Sequence, residues 1–421
     1  MISELKIRNF KSLESIDLKL GHFNLLVGAN ASGKSNFLDA LRFLQGVGSG
    51  ITIDEILEGK PPSGIGQRWL GIRGGARFIA FKRPDGTSAP ETYFQVKLSH
   101  RGPFKGTEDA LVYSLSFDTE NDTPTYDEES VFLGSRALMK STLGKDSKRE
   151  PKGPDRKGTF DFSKLNLLSM FATTDILTQR LGAAADRQSK MEGEKTETEL
   201  GVEAINSISR DFRNMQFLDP IPSVLRDYSS KVERMSETGE GFAALIREID
   251  SNGSKPALME WLKELRPDEV EDLYALEGLK SDFMVAIKEG NTEFRAPVLS
   301  EGTLRFIALA ATFFQPSMPK VVVIEEIEKC LHPSRLRLLL ELMRSQSKRT
   351  GTQVFATTHS PTLISWLTEE DRRTTFVCTR DSESGATKMT SLSDIPRLEH
   401  LIKNGSHIDE LFEQGWLESV L

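Results

Sequence analysis

This chain has little cysteine, no long apolar run and no surplus of positive charge. Its two cysteines, Cys330 and Cys378, have no C-x-x-C neighbour. That excludes a disulfide framework and a cysteine-based zinc site. No stretch approaches the run of about 18 apolar residues that crosses a bilayer. The N-terminal residues include Glu4 and Lys6 in a strand-like pattern, which is not the order of a secretory signal. Heptads are not sustained, so there is no long coiled-coil arm, and no repeat of fixed period recurs. With 62 acidic against 54 basic residues, the net charge is −8. This argues against a protein coated in nucleic acid but leaves room for a local basic patch. The composition leads to the expectation of a soluble, cytoplasmic protein, and the length suits two or three domains.

The most informative stretch is Gly28-Ala29-Asn30-Ala31-Ser32-Gly33-Lys34-Ser35, which fits the phosphate-binding pattern G-x-x-x-x-G-K-[ST]. Phe23 to Val27, just before it, reads as a buried strand. Ser35 to Leu44 reads as a helix with Phe37, Leu38, Leu41 and Leu44 on one face. The chemistry needs strand, glycine loop and helix in that order. Backbone N–H groups curl around a phosphate, and the helix N-terminus adds its partial positive charge. Lys34 would reach the β- and γ-phosphates, and the Ser35 hydroxyl would ligate Mg²⁺.

Val321-Val322-Val323-Ile324 is a β-branched run without alternation, as in a strand buried on both faces. Glu325 and Glu326 follow it, at the strand end where open α/β sheets bind ligands. Alone, two acids there would read as a solvated loop; with the glycine loop upstream, one can hold Mg²⁺ and the other can orient or deprotonate water. Val354 to Thr357 is another short strand, and it leads into Thr358-His359-Ser360-Pro361. His359 is a third polar group at a strand end. Leu299-Ser300-Glu301-Gly302-Thr303 precedes an apolar helix, Leu304 to Phe314, with Ser300 as its N-cap and Gly302 in a tight first turn.

These four elements, in this order, resemble the ABC-type ATPases of the SMC/RecF group. Gly28 to Ser35 looks like Walker A, and Leu299 to Thr303 looks like the ABC signature, with Glu301 where the commonest form has glycine. Val321 to Glu326 looks like Walker B, with Glu325 in the usual Asp place. Leu5 to Leu13 is similar to the opening strand of the group. Leu331-His332-Pro333, Thr358 to Pro361 and the terminal Ile408 to Leu417 look like the prokaryotic predicted ATPases near the OLD proteins, several of which serve in anti-phage defence.

The resemblance implies an α/β fold: a P-loop ABC-type ATPase head with an antiparallel β-subdomain and a mostly helical insertion. It implies ATP and Mg²⁺ as ligands. Lys11, Asn30, Ala31, Ser32, Gly33, Lys34, Ser35 and Asn36 would bind the nucleotide, and Ser35 and Glu325 would hold the metal. Glu326 would be the catalytic glutamate and His359 the switch histidine. Ser300 and Gly302 would cap the nucleotide of the partner subunit, in a homodimer glued by ATP between its heads.

Between the motifs, Ala76 to Lys82, Thr92 to His100, Ala110 to Glu120 and Glu129 to Leu133 read as strands of the β-subdomain. Lys140 to Lys157, with seven basic and three acidic residues, reads as a mobile loop, and Gln188 to Glu199 as a polar tip. Val202, Ile205, Ile208, Phe212 and Met215 recur at helical spacing. Phe242 to Ile249 and Ala257 to Leu265 also read as helices. Asp282 to Ile287 and Thr292 to Ala296 form a hairpin. The division expected is 1–135, an N-terminal ATPase lobe; 136–280, the insertion; and 281–421, a C-terminal lobe.

No nuclease is expected in this chain, because the residues after His359 read as too few for the metal-binding domain of OLD proteins and Glu369-Glu370-Asp371 reads as a solvated helix end. No Asn-Lys-x-Asp guanine reader is present, so ATP is preferred to GTP. The first functional expectation is a dimeric ATP-driven switch in defence, controlling a separately encoded nuclease or toxin. The alternative is a RecF-like repair ATPase that binds duplex DNA through Lys140 to Lys157. A transporter subunit ranks last, because far more chain separates Gly33 from Ser300 than that group has. No membrane association is expected.

Overall fold

The computed structural model describes residues 1–60, 69–99, 110–120, 123–142, 197–230, 234–265, 270–279 and 281–420. The chain divides into two compact units, neither continuous in sequence. One comprises Met1–Gly21, Asn30–Met215 and Cys378–Met389, the other His22–Ala29, Gln216–Val377 and Thr390–Leu421.

The first unit is built on a six-stranded antiparallel sheet. Its strands are β1 (Ile2–Phe10), β2 (Leu13–Lys19), β4 (Glu91–Leu98), β5 (Leu111–Asp118), β6 (Thr125–Leu133) and β7 (Arg136–Thr142), in the order β2-β1-β4-β5-β6-β7. Alternation sets the inner face: Thr92, Phe94, Val96 and Leu98 are buried along β4. Helix α1 (Lys34–Gly48) lies on that face. The Phe43 ring stacks on Phe94 at 5.2 Å and on Phe117 at 5.1 Å, and meets Phe10 edge-on at 6.0 Å. On its other side α1 packs against α2 (Glu197–Arg213). Gly48 allows this approach, since a Cβ there would lie 2.5 Å from the Phe212 Cβ and 2.9 Å from the Ser209 carbonyl.

Three expectations are corrected here. Ala76 to Lys82 is not a strand: Ala76–Phe78 is a 3₁₀ turn, followed by isolated bridges at Ala80 and Lys82, because Gly74 and Gly75 turn the chain just before it. Lys140 begins no loop but lies in β7, paired with Glu128 at 3.0 Å; the rest of that basic segment, from 143 on, lies outside the described residues, as do positions 188–196. Met215 is not the end of the amphipathic helix but the first residue of β8 (Met215–Leu218).

The second unit contains parallel strands β3 (Phe23–Val27), β12 (Val321–Ile324) and β13 (Gln353–Thr358), and β14 (Thr375–Arg380) as far as Val377. In the sheet order β15-β14-β3-β13-β12-β8, β13 is flanked by β3 and β12, and β15 is Thr387–Ser391. Every residue of β3, β12 and β13 is buried, as continuous apolar runs in a parallel sheet require. The remaining core is formed by α3 (Phe242–Ser251), α4 (Lys255–Leu265), α5 (Glu301–Ala311) and α6 (Pro333–Thr350). The expected hairpin is present as β10 (Phe283–Glu289) and β11 (Thr292–Arg295), joined by an unforeseen third strand, β9 (Asp272–Glu277). Glu369 and Glu370 are exposed at the start of a short helix, Glu369–Arg372, as expected of a solvated helix end, but Asp371 departs from that reading: it is buried, accepts from the Thr368 N–H in a capping box and binds Arg344.

Because Phe43 seats α1 on the sheet, Phe43→Ala is expected to destabilise the protein by about 3–5 kcal/mol, the usual cost of deleting a buried aromatic side chain. Chemical denaturation followed by circular dichroism measures this. A loss below about 1 kcal/mol would show that the stack does not hold the helix.

Candidate active site

The first unit holds Lys11 and the loop residues from Asn30 to Asn36. Gly33 has φ 101°, a region open chiefly to glycine, and a Cβ there would collide with the Thr387 side chain. Thr387 fixes the loop from below. Its Oγ1 donates to the Ser32 carbonyl at 3.1 Å and lies 2.7 Å from Ser12 Oγ, and its N–H donates to the Ser12 carbonyl at 2.7 Å. Asn36 Nδ2 donates to Ser12 Oγ at 2.6 Å. Asn30 and Ala31 are exposed, and Ala31 has φ 64°. Ser32 Oγ is buried with no hydrogen-bond partner, and Lys34 is only 8% exposed at the start of α1. An orphaned buried hydroxyl, a glycine that admits no side chain and the first turn of a long helix fit a bound phosphate.

A buried acid organises the cations beside this loop. Asp39, one turn beyond Ser35 on α1, is 3% exposed and pairs with Lys11 Nζ at 2.5 Å and with Arg73 Nη2 at 3.1 Å. Arg73 Nη2 also donates to the Ser35 carbonyl at 2.8 Å. Burial lowers the pKa of Lys11, opposed by the attraction of Asp39. These cations face a cavity of about 480 Å³ lined by Lys11, Ala31, Asn36, Arg73, Phe78 and Arg380, among others, with no carboxylate in its wall among the described residues. Phe78 is 49% exposed, and Lys82 Nζ sits 4.8 Å from its ring centre. Sequence reasoning placed Lys11 here but missed Asp39, Arg73, Phe78, Arg380 and Thr387. The one available signal was Asp39 itself, an acid among the apolar residues of an otherwise buried helix face.

The second unit holds the acids, the histidine and the serine. Register aligns the strand ends: Val27 pairs with Thr358, and Ile324 with Ala356. Glu325 and Glu326 after β12, His359 after β13 and Gly28 after β3 therefore emerge at one edge of one sheet. Glu326 adopts φ 49°, a strained conformation for a non-glycine residue. Its N–H donates to Thr357 Oγ1 at 2.8 Å. Its carbonyl accepts from the Lys329 N–H at 3.0 Å and from Arg305 Nη2 at 3.2 Å. His359 is held by Glu328, whose Oε1 accepts from the backbone N–H at 2.8 Å and lies 3.1 Å from Nδ1. Glu328 Oε2 is buried with no partner.

Ser300 caps α5, accepting from the Thr303 N–H at 3.1 Å, and its Oγ also accepts from Arg335 at 3.3 Å. Gly302 is needed for close approach, because a Cβ there would lie 2.5 Å from the Cys330 carbonyl. Cys330 is exposed, with φ 62°. Arg305 was not singled out by sequence, and the contact of Glu328 with His359 was not foreseen.

The two cysteines differ in exposure: Cys330 is exposed and Cys378 buried. Burial pushes the Cys378 thiol up to about 12, with the nearby Lys34 charge opposing it. Iodoacetamide at pH 8 is expected to add one carbamidomethyl group, at Cys330, to the folded protein, and two after denaturation. Intact-mass and peptide analysis reads this; modification of Cys378 in the folded state would contradict its burial.

Residues 206–365 match the family model described as "AAA domain, putative AbiEii toxin, Type IV TA system", and residues 1–57 match "AAA ATPase domain". A 44-residue stretch is 48% identical to the DNA replication and repair protein RecF of Glaesserella parasuis serovar 5 (strain SH0165). A stretch of the same length is 50% identical to RecF of Pasteurella multocida (strain Pm70). Each match covers 10% of this chain and only 12% of the relative. Among solved structures, an Smc head bound to the C-winged helix domain of ScpA superposes with TM-score 0.51 at 14% identity, covering 93% of this chain and 98% of that one. The SMC head domain from Thermotoga maritima gives TM-score 0.47 at 13% identity, with the same coverage. The 0.51 superposition gives this chain the fold of an Smc head.

Proposed function

We propose that this chain is an ABC-type ATPase of the SMC/RecF group, which binds ATP with Mg²⁺ and hydrolyses it as a dimeric switch. The observation that carries the reading is the parallel register of β3, β13 and β12, which starts the glycine loop, His359 and the Glu325-Glu326 pair at one sheet edge. In this reading, backbone N–H groups from Asn30 to Asn36 and the Lys34 ammonium hold the phosphates. Lys11 and Arg73, aimed by Asp39, neutralise charge beside them. Ser35 and Glu325 supply oxygens to Mg²⁺, a cation that takes one or two protein ligands and completes its shell with phosphates and water. Bound Mg²⁺ offsets charge on the phosphate oxygens. Glu326 accepts a proton from the attacking water, and His359, oriented by Glu328, contacts the terminal phosphate through Nε2. Ser300 and Gly302 act on the nucleotide of a second copy, so ATP joins two heads and hydrolysis releases them.

Lys34→Ala is expected to abolish ATP binding in equilibrium dialysis; near-normal affinity would remove the assignment. Glu326→Gln is expected to keep ATP binding, lose about 10²–10⁴-fold in turnover, and run as a dimer on size exclusion with ATP. A loss under about tenfold would transfer the base role elsewhere, with Glu325 next in line.

The resemblance of Leu331 to Pro333 and Thr358 to Pro361 to the OLD-like ATPases motivates a role in prokaryotic anti-phage defence, with a separately encoded nuclease or toxin as effector; the description of the model matching residues 206–365 includes "putative AbiEii toxin, Type IV TA system". The short RecF matches support a second reading, in which the chain binds duplex DNA through phosphates. These readings separate experimentally. Replacing Lys148, Arg149, Lys152, Arg156 and Lys157 with Ser is expected, on the DNA reading, to flatten the log K against log salt slope by up to about 0.9 per lost contact. ATPase activity without DNA should stay unchanged. No DNA binding by the parent protein would leave the effector reading.

A further inference from the structure

We infer that Arg305 is a positioning residue for Glu326, holding the backbone that carries the proposed general base. The inference rests on the ATPase reading of Glu326. Arg305 lies on α5, the helix capped by Ser300, and is fully buried. It makes no contact with solvent and binds no side chain of the phosphate loop in the described residues. Its guanidinium reaches into the turn after β12. Nη2 donates to the carbonyls of both acids, Glu325 at 3.3 Å and Glu326 at 3.2 Å. Nη1 donates to Asp219 Oδ1 and to the Pro220 carbonyl, each at 2.8 Å.

Three physical points favour this role over simple packing. A buried guanidinium is costly, and an apolar side chain of similar volume commonly fills such a site at no loss of stability. What an apolar residue cannot do is donate in a fixed plane to adjacent carbonyls, and lysine cannot reproduce the fork. One of the carbonyls it binds belongs to a left-handed residue, Glu326, and such backbone persists only where its surroundings over-determine it. Finally, the counter-charge is shared: Lys329 Nζ binds the same Asp219 at 3.0 Å, and the Lys329 N–H bonds the Glu326 carbonyl. Burial resists ionisation of Asp219, and the hydrogen bonds from Arg305 and Lys329 outweigh it, holding its carboxyl below the ordinary value. Asp219, Arg305 and Lys329 thus form a brace whose two arms meet at the Glu326 carbonyl.

The test is a double-mutant cycle on the full chain with Arg305→Lys and Glu326→Gln, measuring kcat, ATP affinity by equilibrium dialysis, and Tm. Arg305→Lys is expected to lower kcat by about tenfold or more with ATP affinity within about twofold of the parent. In the Glu326→Gln background the same change should cost less than about twofold, because the group it positions is gone. Asp219→Asn, at a half-exposed site, gives a milder variant that keeps Arg305 in place; it should shift kcat in the same direction and be equally silent beside Glu326→Gln. Losses that multiply in the double variants, or parallel loss of affinity and turnover, overturn the positioning role and leave the base assignment standing. Undiminished turnover in Glu326→Gln alone overturns both. Should Arg305→Lys fail to fold, the Asp219→Asn cycle decides by the same criterion.

Discussion

The second unit depends on the double-sided parallel pairing of β13. A parallel strand has its neighbours on either side running in the same direction, so whatever follows each strand emerges at the same edge. β3 and β12 flank β13 in this way, and the chain leaves all three toward the glycine loop, the paired glutamates and the histidine. Such pairing survives only when both faces are covered. The cover comes from α3 to α6, whose apolar residues merge with the strands into one core. The chemistry at that edge is thus fixed by hydrophobic burial far beneath it.

In the first unit the same logic runs through aromatic rings. Phe43 bridges two strands of the antiparallel sheet, and α1 can lie only where its ring fits. Once α1 is seated, Asp39 is buried, and a buried carboxylate must find cations. Lys11 and Arg73 answer that demand and are in turn held at the wall of the cavity. An acid inside a helix therefore sets the positive character of the surface beside it.

Much of this was legible from residue order. Phe23–Val27 and Val321–Ile324 have the bounds read from their apolar runs, and Ser300 caps its helix as its residue type requires. These features are local: a run of side chains, a cap and a glycine carry their own signal. What escaped notice is non-local. Thr387 has no motif, and its importance arises from the place where β15 brings it. Arg305 reads as one polar residue in an apolar helix until its four acceptors are in view, and Glu328 is one of several acids until it meets His359. Ala76 to Lys82 was misjudged for a related reason. Its apolar residues suit a strand, yet the two glycines before it had already committed the backbone to a turn.

The clamp on the phosphate loop also carries a consequence for how the protein comes into being. Thr387 lies 355 residues beyond Ser32 and 375 beyond Ser12, so the loop and its clamp are among the longest-range contacts in the chain. Contacts of high sequence separation form late, because the intervening chain must be closed first. On the ribosome, synthesis runs from the N-terminus and early segments fold before late ones exist. The glycine loop is made well before its clamp. A nascent chain therefore carries its glycine loop through the synthesis of the 355 residues from Ser32 to Thr387 without the residue that shapes it.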